Sequence, residues 1–178
     1  MSTLLGICGS LRSGSFNRKL MLEAARHWDG PFEEGSLRLP LYDGDLEAEG
    51  IPAEVTRLSE QIAAAAAVVI VTPEYNKSIS GVLKNGLDWV SRAEGNPWKD
   101  KPVAIMSATA GRSGGERAQW ALRHALTPFQ PTVLFGPEVL VGTASEQFDD
   151  DGRLTNEVNL KTVKDILARL RETADSAG

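Results

Sequence analysis

Cysteine and histidine are scarce in this sequence, which has one cysteine, Cys8, and two histidines among its 178 residues. A single cysteine cannot form an internal disulfide, and such usage is typical of a reducing compartment. The histidines, His27 and His124, lie far apart in the chain, so no His/Cys spacing indicates a metal site. The acidic run at 149–151 lacks the spacing of a calcium loop and predicts a solvated turn. We therefore expect no metal ion, and we expect Cys8 to be a buried strand residue.

Long apolar runs and an excess of basic residues are also missing. No stretch of about 18 apolar residues is present, so the sequence predicts no membrane span. The segment from Ser10 to Ser15 interrupts the N-terminal apolar run early, unlike a secretory signal. The net charge of −5, with no basic tract, disfavours nucleic acid as the main partner. We expect a cytoplasmic protein that binds neither nucleic acid nor membrane, with residues 1–178 forming one domain.

Three well-known phosphate motifs are absent from the segment GSLRSGSFNRKL at residues 9–20. It does not end in Lys-Ser or Lys-Thr, which excludes a nucleotide-triphosphate loop. The glycines at positions 6, 9 and 14 do not have the G-x-G-x-x-G spacing of a dinucleotide fingerprint. Gly14 stands where a phosphatase loop that began at Cys8 would need its arginine.

What this segment does contain is a set of hydrogen-bond donors at the start of a predicted helix. Three serines, Asn17 and Arg12 lie there without any carboxylate. Free backbone N–H groups and the positive end of the helix dipole favour an anion at such a position, and a guanidinium matches phosphate oxygens. Ser15 or Asn17 alone would predict only a helix cap, but the whole set favours a phosphate site.

Segments with strand and helix periodicity alternate along the chain. We predict strands at 3–8, 36–39, 68–71 and 103–106, and a split last strand at 133–135 and 139–141. We predict helices at 17–28, from 52 into 63–67, at 80–91, at 117–126 and at 156–171, with a loop at 40–50. Such alternation indicates an α/β fold with a parallel sheet covered by helices on both faces. Five strands fit the flavodoxin-like order 2-1-3-4-5.

This strand order predicts where a ligand binds. Ligands of such folds lie beyond the carboxyl ends of the strands, near the switch point between the first and third strands. Three polar loops meet there: 9–17, 72–78 and 107–115. Tyr75 is suited to lie along a planar ring, and Gly111, Gly114 and Gly115 would let a flat ligand approach the main chain. The three loops together favour a mononucleotide, although residues 73–76 alone could be an ordinary turn.

The same residues resemble the NADPH-dependent FMN reductase family, which includes bacterial quinone, chromate and azo-dye reductases. The matching segments are GSLRSGSFN at 9–17, PEYN at 73–76, SGVLKN at 80–85, LDW at 87–89 and residues 111–119. Gly86 departs from the pattern, because alanine is more usual there. The resemblance covers nearly the whole chain.

The resemblance implies a role for each matching residue. The FMN phosphate would be held by Ser10, Arg12, Ser15 and Asn17, with Phe16 beside them. The isoalloxazine would be lined by Pro73, Glu74, Tyr75 and Asn76, and flanked on its other side by Ser107 and Gly111. NADPH or NADH would be the co-substrate, and no side chain would serve as a general acid or base.

The resemblance also implies the partners. The acceptor would be a quinone, chromate, an azo compound or a nitro compound. Family members are homodimers or homotetramers, and the helix with residues 87–89 usually lies at the subunit contact. A flavodoxin-type electron carrier without its own NAD(P)H activity is the alternative. Arg12 in the phosphate loop and a charge of only −5 favour the reductase.

Overall fold

The computed structural model describes residues 2–177, in which strands and helices alternate as the sequence predicts. The strands are β1 Leu4–Cys8, β2 Phe32–Gly35, β3 Ala67–Val71, β4 Pro102–Ala108, β5 Thr132–Val133 and β6 Val139–Val141. The helices are α1 Phe16–Arg26, α2 Gly44–Glu49, α3 Ala53–Ala64, α4 Gly81–Val90, α5 Glu116–Leu126 and α6 Glu157–Ala177. In the described part of the chain, no helix has both the length and the apolar character needed to cross a membrane.

The strands form one parallel sheet in the order β2-β1-β3-β4-β5, which confirms the flavodoxin-like prediction. β5 pairs with the start of β4, and β6 pairs in parallel with its end. The last strand is therefore interrupted, as predicted, and its two pieces border the same neighbour. In β1, β3 and β4 the register aligns Cys8 with Val71 and Val71 with Met106. The carboxyl ends of these three strands therefore lie at the same edge of the sheet, with β4 two residues longer than the others.

Helices cover both faces of the sheet, and alternate residues of the central strand β3 show why. Val69 and Val71 belong to the apolar cluster formed with α1 and α6. Val68 and Ile70 belong to the cluster formed with α3, α4 and α5. A strand with a core on each side must be apolar throughout, and this is the pattern of residues 67–71. The prediction of a sheet covered on both faces is confirmed.

Two local predictions are wrong. The second strand is Phe32–Gly35 and not 36–39, because β2 is an edge strand whose exposed glutamates hide its pattern. Leu37 is buried for another reason, since it packs against α4 at Gly86, where an added Cβ would lie 2.6 Å from Leu37 Cδ2. This contact explains the departure from alanine at Gly86. Within the predicted loop 40–50, α2 was missed because none of its residues is buried.

The helix that the resemblance placed at a subunit contact is α4. Leu87 and Trp89 are buried within the chain itself, and Trp89 Nε1 donates to the Pro40 carbonyl at 2.8 Å. Only the outer side of α4, which carries the exposed pair Lys84–Asp88, is left to meet another copy.

Candidate functional site

The loops after β1, β3 and β4 surround one cavity of about 380 Å³ at the carboxyl edge of the sheet. Nine of the eleven predicted site residues line it: Ser10, Arg12, Ser15, Phe16, Asn17, Pro73, Glu74, Tyr75 and Gly111. Asn76 and Ser107 do not. The cavity is also bordered by four residues that the prediction missed: Ala108, Thr109, Ala110 and Ser113. Ala108 is the last residue of β4, and the other three residues follow it. The predicted end of this strand was therefore the sequence feature that could have identified them.

The first loop delivers free backbone donors to this cavity. Ser15 is the N-cap of α1, and its hydroxyl oxygen accepts from the Arg18 N–H at 3.3 Å. The N–H groups of Phe16 and Asn17 lie in the first turn, where no helical carbonyl can accept them. Phe16 is held against Phe148, with ring centroids 5.9 Å apart. The capping and anion-binding interpretations of this loop are therefore compatible, since the cap orients the remaining donors.

The side chain of Asn17 has a task that the resemblance did not imply. Its Nδ2 donates to the Ala108 carbonyl at 2.8 Å, and its Oδ1 accepts from the Ala108 N–H at 2.9 Å. Both groups of the amide are thus engaged with the end of β4. Its side chain joins the first and third loops, and its backbone N–H is the group left for a phosphate.

Arg12 is exposed and forms no ion pair with any residue in 2–177. A guanidinium at the rim without a protein partner is available to an anionic ligand. No carboxylate of the first loop competes for it, because residues 9–17 contain none. The charge at this end of the cavity is therefore positive.

Cys8 lies beneath the same loop. Burial raises the pKa of its thiol, and the Sγ atom lies 3.5 Å from the Ser10 carbonyl oxygen. A raised pKa keeps the group protonated at neutral pH, so it is a poor nucleophile. The described residues include no group of three or more His, Cys, Asp or Glu side chains that could hold a metal ion.

The second loop is a tight hairpin that presents Tyr75. Tyr75 and Ser78 exchange two backbone hydrogen bonds of 3.0 Å, and the residues between them, Asn76 and Lys77, both have positive φ. Asparagine tolerates this conformation, which explains Asn76 without any ligand. Its predicted place beside the ring is not supported, since it lies outside the cavity. Tyr75 is half-exposed at the rim, where a planar ligand can contact it.

Glu74 joins the second loop to α5, a role that the sequence did not reveal. Its Oε2 accepts from the backbone N–H groups of Arg117 at 3.1 Å and Ala118 at 3.4 Å. The N-cap position of α5 is Gly115, which has no side chain to cap the helix. Glu74 therefore supplies the missing cap from another loop, and its negative charge matches the positive end of the helix.

Replacing Glu74 with alanine should lower the free energy of unfolding by about 1–2 kcal/mol, the usual cost of losing an N-cap. Amide hydrogen exchange at Arg117 and Ala118 should accelerate, because these are the N–H groups that lose their acceptor. Exposed Glu116 offers a matched control on the same helix turn, and its replacement with alanine should change neither quantity appreciably. Equal effects of the two substitutions would contradict the capping role.

The third loop is braced from behind by Ser107. This residue is fully buried; its hydroxyl donates to the Gly114 carbonyl at 2.5 Å and accepts from Gln119 Nε2 at 2.8 Å. The side chain of Ser107 therefore faces the loop and not the cavity, so its implied place beside the ring is not supported. Gln119 also donates to the Val139 carbonyl at 2.8 Å, so one buried amide links α5, β4 and β6. No local pattern in the sequence indicates these contacts.

The glycines of the third loop also have separate tasks. A Cβ added at Gly111 would meet nothing within 4 Å, so this position does leave the main chain open to a ligand. Gly114 and Gly115 are buried with positive φ and pack against Leu140 and Ser107. Of the three glycines, Gly111 is therefore the one that leaves the space that a ligand would need.

Comparison with known proteins identifies relatives with the same architecture. The family model described as NADPH-dependent FMN reductase matches residues 2–146. An NAD(P)H-dependent FMN reductase of Pseudomonas aeruginosa is 43% identical over 175 residues, covering 94% of this chain and 92% of that protein. A quinone reductase of Escherichia coli K12 is 41% identical over 148 residues, covering 80% and 79%. The solved structure of an NAD(P)H:(acceptor) oxidoreductase from Paracoccus denitrificans superposes with a TM-score of 0.90 at 32% identity, covering both chains completely.

Proposed function

Because this chain belongs to the NADPH-dependent FMN reductase family, we propose that it is an FMN-dependent NAD(P)H oxidoreductase that passes electrons to a quinone or a similar acceptor. The observation that carries this proposal is a cavity of about 380 Å³ that is lined both by a donor-rich loop and by the loop of Tyr75. One end suits a phosphate, and the other suits a flat ring.

The residues present fit FMN. Ser10, Arg12 and the N–H groups at the start of α1 would hold its phosphate, since these donors have no competing carboxylate in their loop. Pro73, Tyr75 and Gly111 would border the ring, and Gly111 leaves the open approach that a planar group needs. When bound, FMN supplies the redox chemistry. The protein positions two flat molecules face to face, and we assign no side chain as general acid or base.

The test is to purify the protein, add FMN, remove the excess and look for retained yellow colour. NADPH consumption is then followed with and without a quinone. We expect oxidation that the quinone accelerates. Retained FMN without any NAD(P)H oxidation would favour the flavodoxin-type carrier, and failure to retain FMN would refute both functions.

Replacing Arg12 with alanine should weaken FMN binding about 10- to 100-fold, because a charge-assisted phosphate contact contributes about 1.5–3 kcal/mol. The dissociation constant is measured by titrating FMN into the apoprotein. Arg57, an exposed residue of α3, is the control for loss of one positive charge. The same dissociation constant in the wild type and the Arg12 variant would remove this residue from the site.

We further propose that the chain acts as one FMN-binding domain in the cytoplasm, where its single thiol stays reduced. Chromate, azo and nitro compounds are further candidate acceptors. We also propose a homodimer or homotetramer. Supporting an interface are the exposed rings of Trp120 and Phe135, whose centroids lie 5.9 and 5.1 Å from the Arg123 guanidinium carbon. Light scattering coupled to gel filtration would measure the assembly.

A further inference from the structure

A second cavity, of about 490 Å³, lies on the other side of the phosphate loop, between that loop and the segment that follows β2. Ser10 and Arg12 line both this cavity and the first one. The two cavities are thus neighbours across a ridge formed by residues 10–12. Of the residues that line the second cavity, the proposed binding of FMN uses Ser10 and Arg12 and leaves the side toward β2 without a ligand.

The lining of the second cavity is rich in guanidinium groups. Arg12, Arg18 and Arg38 line it together with a single carboxylate, Glu34. Arg18 neutralises Glu34 through two hydrogen bonds of 2.8 and 2.7 Å. Arg12 is assigned to the FMN phosphate, so with FMN bound one uncompensated positive charge, that of Arg38, remains in this cavity. A concave site with this local excess attracts an anion.

Arg38 is oriented by its neighbours but not paired with an acid in the described chain. Its Nη2 donates to the Leu11 carbonyl at 3.1 Å, which holds the guanidinium at the ridge. Its backbone N–H donates to Ser36 Oγ at 3.2 Å, and the Ser36 hydroxyl donates to no other residue within 2–177. A hydroxyl and a guanidinium side by side suit the oxygens of a phosphate monoester.

A third, mostly apolar hollow extends from the ridge toward Tyr75. It is lined by Leu11, Tyr75 and Val82, and it shares Ser10 and Arg12 with both other cavities. A long ligand whose ring lies near Tyr75 can therefore cross the ridge and place its far end beside Arg38. Of the two substrates in the proposed reaction, only the nicotinamide dinucleotide is long and carries phosphates.

We infer that the cavity beside Arg38 receives the 2′-phosphate of NADPH, so that the enzyme prefers NADPH to NADH. This inference rests on the proposed function for the identity of the substrate. Glu34 does not repel the phosphate, because Arg18 already pairs with it.

The first experiment measures binding without turnover. Protein saturated with FMN is titrated by calorimetry with 2′,5′-ADP and, separately, with 5′-AMP, which lacks the 2′-phosphate. We expect the wild type to bind 2′,5′-ADP at least about tenfold more tightly. Arg38→Ala should abolish this difference, and Arg38→Lys should restore part of it. Arg153→Ala, which removes an exposed arginine that does not line the cavity, should leave it unchanged.

The second experiment compares kcat/KM for NADPH and NADH at saturating FMN. Arg38→Ala should reduce the value for NADPH about 10- to 100-fold and leave that for NADH within about twofold. Equal losses for both dinucleotides, or equal binding of 2′,5′-ADP and 5′-AMP by the wild type, would overturn the inference. A loss of 2′,5′-ADP binding in Arg12→Ala but not in Arg38→Ala would overturn it too. If neither dinucleotide is oxidised, the proposed function fails, while the calorimetry still decides whether the site binds a 2′-phosphate.

Discussion

Replacing Asn17 with alanine is expected to lower the free energy of unfolding by about 2–5 kcal/mol, because two buried backbone groups lose their partners at once. The Ala108 N–H and carbonyl are buried at the end of β4, and the Asn17 amide satisfies both. Each such group costs about 1–3 kcal/mol when it is left unpaired. Urea unfolding followed by circular dichroism measures the loss, since two-state analysis suits a chain of this size.

The same substitution separates Asn17 from Arg12 as contributors to the site. Without its amide, the first and third loops are no longer joined, so FMN binding should weaken together with stability. Arg12→Ala should weaken FMN binding and leave the free energy of unfolding within about 0.5 kcal/mol, since Arg12 is exposed. A stability loss below about 1 kcal/mol in Asn17→Ala would mean that water replaces the amide.

An aspartate at position 17 sharpens the test, because it keeps the acceptor and changes only the donor. An ionised carboxylate would place an oxygen against the Ala108 carbonyl, and both would be buried. The carboxyl pKa of the variant should therefore be raised above its ordinary value, since the protonated form can donate to that carbonyl. The deficit relative to wild type should be small at low pH and grow as pH rises through the raised pKa.

The fold could be predicted from the sequence because its signals are local and repeated. Residues 67–71 are apolar at every position, and a strand buried on both faces needs that composition. The edge strand β2 was placed four residues too late because it has a single core neighbour and exposes Glu33 and Glu34. The position of β2 is decided by its pairing with β1, which a local sequence pattern does not indicate.

The candidate site was predictable in its location but not in the tasks of its residues. The order of strands brings three loops to one edge, and residue types such as serine and arginine indicate the chemistry there. Whether a polar group faces a ligand or another loop is decided by atoms distant in the chain. Glu74 meets α5 across 43 positions, and Asn17 meets Ala108 across 91. Their bracing roles could not be deduced from spacing.

The separate tasks of the glycines in the third loop could not be predicted from the sequence either. One of them, Gly114, gives the second prediction with a large effect on stability. Gly114→Ala is expected to lower the free energy of unfolding by about 3–4 kcal/mol. Its φ of +65° is costly for a residue with a Cβ, and the added atom would lie 2.6 Å from the Leu140 carbonyl carbon. The loop must move away from β6, which breaks the hydrogen bond from the Ser107 hydroxyl to the Gly114 carbonyl.

Gly111→Ala is the matched control, since both residues belong to one loop and differ in what surrounds them. An added Cβ at Gly111 meets nothing within 4 Å, so the free energy of unfolding should change by about 0.5 kcal/mol or less. Because Gly111 borders the cavity, its substitution should act on FMN affinity alone, whereas Gly114→Ala should reduce both affinity and stability. Parallel urea unfolding curves and FMN titrations of the two variants would reveal this division. An equal loss of stability in Gly111→Ala and Gly114→Ala would contradict this explanation. The backbone freedom of glycine, rather than the packing of Gly114 on β6, would then account for both losses.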